Sequence, residues 1–177
     1  QADFYATDIT IDLNGCAAFE MHSVQGNTDI SLVVPGMHNV GNALVAAALT
    51  MAVGATLEDV KYGLQDMQAV GGRLKVVPLT EQVRILDDTY NANVGSVKAA
   101  IDTLASFSGR RVLVLGDMAE LGEKARYYHE QVGEYAKEKF IDCLYTSGVL
   151  SQSASTAFGK NGYHFSEQAA LIEALEQ

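Results

Sequence analysis

The chain has 177 residues, 48% hydrophobic and 19% charged, with 22 acidic against 12 basic residues and a formal net charge of −10. That composition suits one ordinary domain or two small ones with a real core and excludes a disordered chain. The acidic balance argues against nucleic acid or an anionic membrane as partner, and no apolar run approaches the ~20 residues that cross a bilayer.

The first residues, Gln1-Ala2-Asp3, carry neither a signal pattern nor an initiator Met, so the expectation is a segment of a longer product. Cys16 and Cys143 stand far apart and are read as buried free thiols in a reducing cytoplasm. His22, His38, His129 and His164 are scattered and define no metal spacing.

From Phe4 to Val34 apolar residues alternate, with Ile9, Ile11 and Leu13 on one face, and Asn14-Gly15 and Gly26-Asn27 serve as turn signals. This predicts a small antiparallel meander ended by Pro35-Gly36. Asn39 to Val53 is rich in Ala and Leu and predicts a buried helix closed by Gly54. Thr56 with Asp59 resembles a capping pair for a second helix reaching about Met67.

Gly71-Gly72 is the expected boundary between two domains, residues 1–73 and 74–177. Beyond it strands alternate with helices. Strands are predicted at Val83–Leu86, Val112–Leu115, Cys143–Thr146 and Tyr163–Phe165. Helices are predicted at Ser96–Phe107, about Lys124–Phe140, Gln152–Phe158 and from Glu167 onward. The alternation implies an α/β fold, with a parallel sheet covered on both faces in a Rossmann-like, doubly wound arrangement. No stop signal precedes Gln177, so the C-terminus is also read as cut.

Four segments could carry chemistry. Asp87-Asp88-Thr89-Tyr90-Asn91-Ala92-Asn93-Val94-Gly95-Ser96 sets two carboxylates at a strand end before a helix. Asn93 or Ser96 could simply cap that helix and Asp88 could favour its dipole; a ribose or metal–water contact is the competing reading. Gly116-Asp117-Met118-Ala119-Glu120-Leu121-Gly122 permits a tight turn but lacks the dinucleotide spacing. His38-Asn39-Val40-Gly41-Asn42 opens a helix with two side-chain amides on one face, or merely caps it. Arg73 is a hinge brace or a phosphate clamp, since its planar fork matches phosphate oxygens. Gly159-Lys160 has Ala154 where a phosphate-binding loop needs Gly, so these residues contain no such loop.

His-Asn-x-x-Asn, then Gly-Arg, then the Asp-rich strand end, in that order, resemble the Mur ligases. Asp87–Asn93 and Gly116–Gly122 look like the branch of that family that adds D-alanyl-D-alanine; Thr89 stands where its pattern has Ser. The resemblance covers about Ala2 to Gln177. It implies the end of a central ATP-binding domain (antiparallel strands and helices, 1–73) followed by most of a Rossmann-like C-terminal domain (74–177). It also implies that a substrate domain, a phosphate-binding loop, a carbamylated lysine that helps hold Mg2+, and a Lys-Gly-Ser segment lie outside these residues.

The implied activity is an ATP- and Mg2+-dependent cytoplasmic ligase of cell-wall synthesis, joining UDP-N-acetylmuramoyl-tripeptide to D-alanyl-D-alanine through an acyl phosphate. The parent is expected to be monomeric, without membrane insertion, and the segment inactive alone and prone to self-association. By the resemblance Asn42 faces the adenine, Arg73 the phosphates and Asp88 the ribose. His38 and Asn39 lie near the nucleotide and metal region, and Tyr90 neighbours the base. Arg73 and His38 are the catalytic candidates, and no metal ligand is assigned. The alternatives are a non-catalytic nucleotide-binding module, a purely structural Rossmann-like domain, another Mur-type ligase, or a folylpolyglutamate synthase relative.

Overall fold

The alternation near the N-terminus forms three antiparallel strands, β1 (Tyr5–Ile11), β2 (Cys16–Ser23) and β3 (Gly26–Pro35), in the order β1-β2-β3. The computed structural model describes residues 2–68 and 70–176. Ser23 pairs with Gly26, so the second turn is Val24-Gln25, and Gly26-Asn27 open β3 instead of forming the turn. A bulge between Thr7 and Thr10, with Asp8 at φ 52°, breaks the register of β1.

The inner face of this sheet carries Ala17, Phe19, Met21, Ile30 and Leu32, and two helices close over it. α1 (His38–Ala52) contributes Val40, Ala43, Ala47 and Met51, spaced three or four apart as a helical stripe requires. α2 (Leu57–Gln65) contributes Val60 and Leu64. Each large side chain fully buried here stabilises by roughly 1.5–3 kcal/mol. The predicted capping pair forms: the Asp59 amide donates to the Thr56 hydroxyl and the Thr56 amide donates to the Asp59 carboxylate.

The sequence predicts a buried helix here, and α1 is buried along one stripe only. Val45 and Leu49 are 60% and 66% exposed, and the C-cap Val53 is 87% exposed, because the sheet covers one stripe only. Ile9, Ile11 and Leu13 are also exposed, Leu13 at 88%.

The strand predicted at Val83–Leu86 is β5 (Arg84–Asp87), but it does not join the parallel sheet. It pairs antiparallel with β4 (Lys75–Pro78), a strand the sequence reading did not identify. The connection explains the pairing. The Thr80 hydroxyl accepts the amides of Gln82 and Val83, forming a tight turn, and a connection that short permits only an antiparallel neighbour.

The chain parts into two compact units, Gln1–Tyr90 and Asn91–Gln177, so β4 and β5 belong with the first. In the second, α3 (Val94–Ser106) precedes β6 (Val112–Leu115), α4 (Ala125–Glu138), β7 (Cys143–Ser147), α5 (Gln152–Phe158), β8 (Gly162–Phe165) and α6 (Gln168–Leu175). Each connection between strands carries a helix, and the three strands are parallel in the order β6-β7-β8. Alternation along β7 divides the core. Leu144 packs with Val97 and Ile101 of α3, Val132 and Ala136 of α4, and Ala154 and Phe158 of α5. Cys143 and Tyr145 point the other way, onto Leu171 of α6. The parallel sheet is thus covered on both faces, as the strand–helix alternation predicts. No helix among the described residues is long and apolar enough to cross a membrane.

α4 and α5 pack closely at Gly133, which is buried; an added β-carbon there would overlap the Ala154 backbone. Gly133→Ala is expected to cost about 1–3 kcal/mol by overpacking. Gly63→Ala, on α2 where a methyl group meets open space, should be neutral or stabilising by up to about 1 kcal/mol. Urea unfolding midpoints check both, and equal midpoints for the two variants would contradict the close helix crossing.

Candidate functional site

The strand-end acids are held by the glycine turn that precedes β4. The Asp87 carboxylate accepts the Gly72 amide at 3.1 Å, and Asp88 accepts the Leu74 amide at 3.2 Å. The Tyr90 amide donates back to the Gly72 carbonyl at 3.0 Å. Gly72 sits at φ 73°, and a β-carbon would come within 3.0 Å of the Tyr90 nitrogen, so both conformation and space demand glycine. Between these bonds Arg73 is exposed, its guanidinium carbon 4.5 Å from the centre of the Tyr90 ring. Arg73, Asp88 and Tyr90 are therefore brought together as one cluster.

The two carboxylates differ. Asp87 is turned inward on the clasp: the Thr89 hydroxyl donates to its Oδ1 at 2.7 Å while Oδ2 takes the Gly72 amide. Asp88 uses only Oδ1 in this way, and its Oδ2 makes no hydrogen bond among the described residues. That oxygen and the Arg73 guanidinium are the groups here able to receive a ligand. The rest of the segment is capping. Asn93 and Ser96 form a reciprocal box at the start of α3, as one reading of the sequence allowed. Asp88 accepts the Leu74 amide, and the first turn of α3 holds no acidic residue.

A second cluster lies at the start of α1. Its N-cap is Met37, without a side-chain cap and without an acidic residue in the first turn, so His38 and Asn39 are not capping residues. The Asn39 amide group donates to the Pro35 carbonyl at 2.8 Å, and Asn42 donates to the Asn39 Oδ1 at 2.9 Å. The Asn42 side chain is thereby held through its amide nitrogen, while His38 is exposed and without a hydrogen bond among the described residues. A β-carbon on Gly41 would meet open space, so that glycine serves no close approach within this chain. No hydrogen bond among the described residues joins this cluster to Arg73 or Asp88.

The loop Gly116–Gly122 has a structural use that sequence did not reveal. Asp117 Oδ1 accepts the amides of Leu150 and Ser151 at 2.9 and 2.7 Å. Gly148, at φ 130°, leaves room for the carboxylate. Burial pushes the Asp117 pKa up, but the amides of Ser151 and Leu150 outweigh it and the net shift is downward. His129 is fully buried and binds the Met118 amide. Glu120 is exposed at φ 60°. His129 was legible only as one scattered histidine, and its partner is 11 residues away, so no spacing could have found it.

A shallow groove of about 280 Å³ between α4 and α5 is lined by Arg126, Glu130, Glu134, Gln152 and Thr156, and by no candidate residue. Among the described residues no group of three or more His, Cys, Asp or Glu could hold a metal ion. Of the two free cysteines, Cys143 is buried and Cys16 only partly so.

Residues 72–177 match the family model described as Mur ligase, glutamate ligase domain. The chain is 49% identical over 175 residues to the UDP-N-acetylmuramoyl-tripeptide–D-alanyl-D-alanine ligase of Escherichia coli, covering 99% of this chain but 38% of that protein. A crystal structure of MurF from Acinetobacter baumannii superposes with a TM-score of 0.90 at 34% identity, covering 98% of this chain and 38% of that one. The MurF ligase of Thermotoga maritima, solved in complex with ADP, shares the fold with a TM-score of 0.80 at 23% identity, covering 99% of this chain and 40% of that one. The chain therefore spans well under half the length of these relatives.

The Thr89 hydroxyl is the largest influence on Asp87; with the Gly72 and Thr89 amides and Lys75 it outweighs desolvation and holds the carboxyl below its ordinary value. A depressed carboxyl contributes stability that is complete above the unfolded value of about 3.9 and is lost as pH falls through the lowered folded value. Carbon-detected NMR titration should place Asp87 below that ordinary value, and Thr89→Val should move it upward. An Asp87 titration unmoved by Thr89→Val would remove the hydroxyl as the cause.

Proposed function

Because the chain belongs to the Mur ligase family, we propose that it forms part of an ATP-dependent ligase joining D-alanyl-D-alanine to UDP-N-acetylmuramoyl-tripeptide in the cytoplasm. The observation that carries this reading is identity to a ligase of that name along nearly the whole chain. The start of the family model at residue 72 supports dividing the chain into the end of a central ATP-binding domain, 1–73, and a C-terminal domain, 74–177, a family boundary that lies ahead of the break between the compact units after Tyr90.

In this proposal the precursor's terminal carboxylate takes the γ-phosphoryl group of ATP, giving an acyl phosphate and releasing ADP. The amine of D-alanyl-D-alanine then attacks the carbonyl carbon, forming the amide and releasing phosphate. This chain's residues contribute binding and charge. Arg73 offers a permanently charged fork to phosphate oxygens, and its stacking on Tyr90 limits the freedom it loses on binding. Asp88 Oδ2 is available to accept a ribose hydroxyl. Asn42, oriented by Asn39, presents its oxygen to an adenine amino group. His38 lies beside the nucleotide and Tyr90 beside the base. We assign no Mg2+ ligand to these residues.

No phosphate-binding loop occurs in the 177 residues, so the chain alone is expected to show no ATP turnover. Turnover that survives purification and disappears in Asp88→Ala would sink this expectation. When these residues replace the matching segment of the Escherichia coli relative, the chimaera is expected to ligate D-alanyl-D-alanine. Arg73→Ala in that chimaera should lower kcat/KM by about 100-fold or more. A folded chimaera that binds ATP yet forms no amide would leave the non-catalytic nucleotide-binding reading in its place.

A further inference from the structure

The loop that follows β6 is fastened at two successive residues by different chemistry. Asp117 reaches to the Leu150 and Ser151 amides. The Met118 amide donates to His129 Nε2 at 2.9 Å, and His129 Nδ1 lies 2.7 Å from the Ala125 carbonyl. An amide N–H can only donate and a carbonyl can only accept, so Nε2 is bare and the single ring proton is on Nδ1. The ring is 0% exposed and the Met118 side chain 1% exposed, so neither partner can turn to water without the loop moving. A second proton on the ring would set N–H against N–H at Met118 and leave a charge in an apolar core.

We propose that His129 is a proton-operated latch: the neutral ring holds the Met118 half of the Gly116–Gly122 loop closed, and protonation releases it while the Asp117 anchor stays made. The charged groups on the elements around the ring do not replace this bond. They are Arg126, Glu130, Glu134, Lys137 and Glu138 on α4, Glu123 and Lys124 on the preceding 3-10 turn (Gly122–Lys124), Lys98 and Asp102 on α3, and Asp117 and Glu120 on the loop; α5 carries none. Asp102 and Lys98 are engaged with Tyr135, and both ring nitrogens meet only backbone. Asp117 stays ionised through the imidazole range, because its carboxyl is held below the ordinary value. The hinge therefore falls between residues 117 and 118. The part that moves, Met118 to Gly122, lies beyond the carboxyl end of a parallel strand, where sheets of this kind receive ligands.

Amide hydrogen exchange on the whole chain, read by NMR at about pH 7.5 and about pH 5 and corrected for intrinsic rates, tests the latch. Met118 protection is expected to fall at least tenfold, roughly the change one pH unit makes in a protonation equilibrium, while Leu150 and Ser151 stay protected. Ring nitrogen shifts should show His129 passing from the Nδ1–H form to the doubly protonated form in step with that loss. His129→Gln keeps one acceptor and one donor without titrating, so its Met118 protection should not change with pH. The latch is overturned by Met118 protection that stays constant in the native chain, or by a loss that occurs while the ring remains neutral. Equal loss at Leu150 and Ser151, or the same pH dependence in His129→Gln, would overturn it as well.

Discussion

Carboxylates accepting the backbone amides of turns and loops organise both units of this protein. Asp87 and Asp88 take the Gly72 and Leu74 amides, and Asp117 takes those of Leu150 and Ser151. Asp12 holds the turn before β2 through the Asn14 and Cys16 amides, and Asp142 receives the Arg111 amide. A charged acceptor makes shorter and stronger bonds than a carbonyl does, and it satisfies loop amides that no strand or helix can pair. The net charge of −10 is thus partly an inventory of loop anchors. The pKa shifts agree: Asp87, Asp117 and Asp142 are all held below the ordinary carboxylate range while their amide donors are engaged.

The regular elements were legible because their periods are strong and local. β6 lies where the apolar run Val112–Leu115 put it, and the Thr56–Asp59 pair announced the start of α2. What sequence missed depended on partners far along the chain. The strand Lys75–Pro78 is four residues bounded by Pro, and only its pairing with Arg84–Asp87 makes it one. The strand at Val83 was assigned to the parallel sheet because alternation with helices is a pattern of order and says nothing of hydrogen-bonded neighbours. Of the site, the Gly72-Arg73 and Asp87-Asp88 motifs were visible. That they meet was not, since their bonds span 14 and 15 residues.

The one-sided burial of α1 has the same origin. Composition reports what a helix could bury, and Val45 and Leu49 are as apolar as Val40 and Met51. Which face is covered depends on the sheet beneath it, and the three-stranded meander is wide enough for one stripe. Val45, Leu49 and Val53 stand outside that stripe and are exposed.

The division of labour within the strand-end acids bears on function. A carboxylate has two oxygens, and an anchor needs one. Asp87 commits both to the clasp, through Gly72 and Thr89, and can offer a ligand little without loosening the turn. Asp88 is fixed by Leu74 through Oδ1 and keeps Oδ2 available, so its rotamer is set before any ligand arrives. Arg73 is fixed the same way, with its backbone amide bonded to Val70 and its side chain stacked on Tyr90. Side chains whose conformations are already restricted lose less entropy on binding. The clasp therefore does more than close a turn: it presents one anionic oxygen and one guanidinium in a preset geometry, and Gly72 is the residue that lets the two segments come close enough to do so.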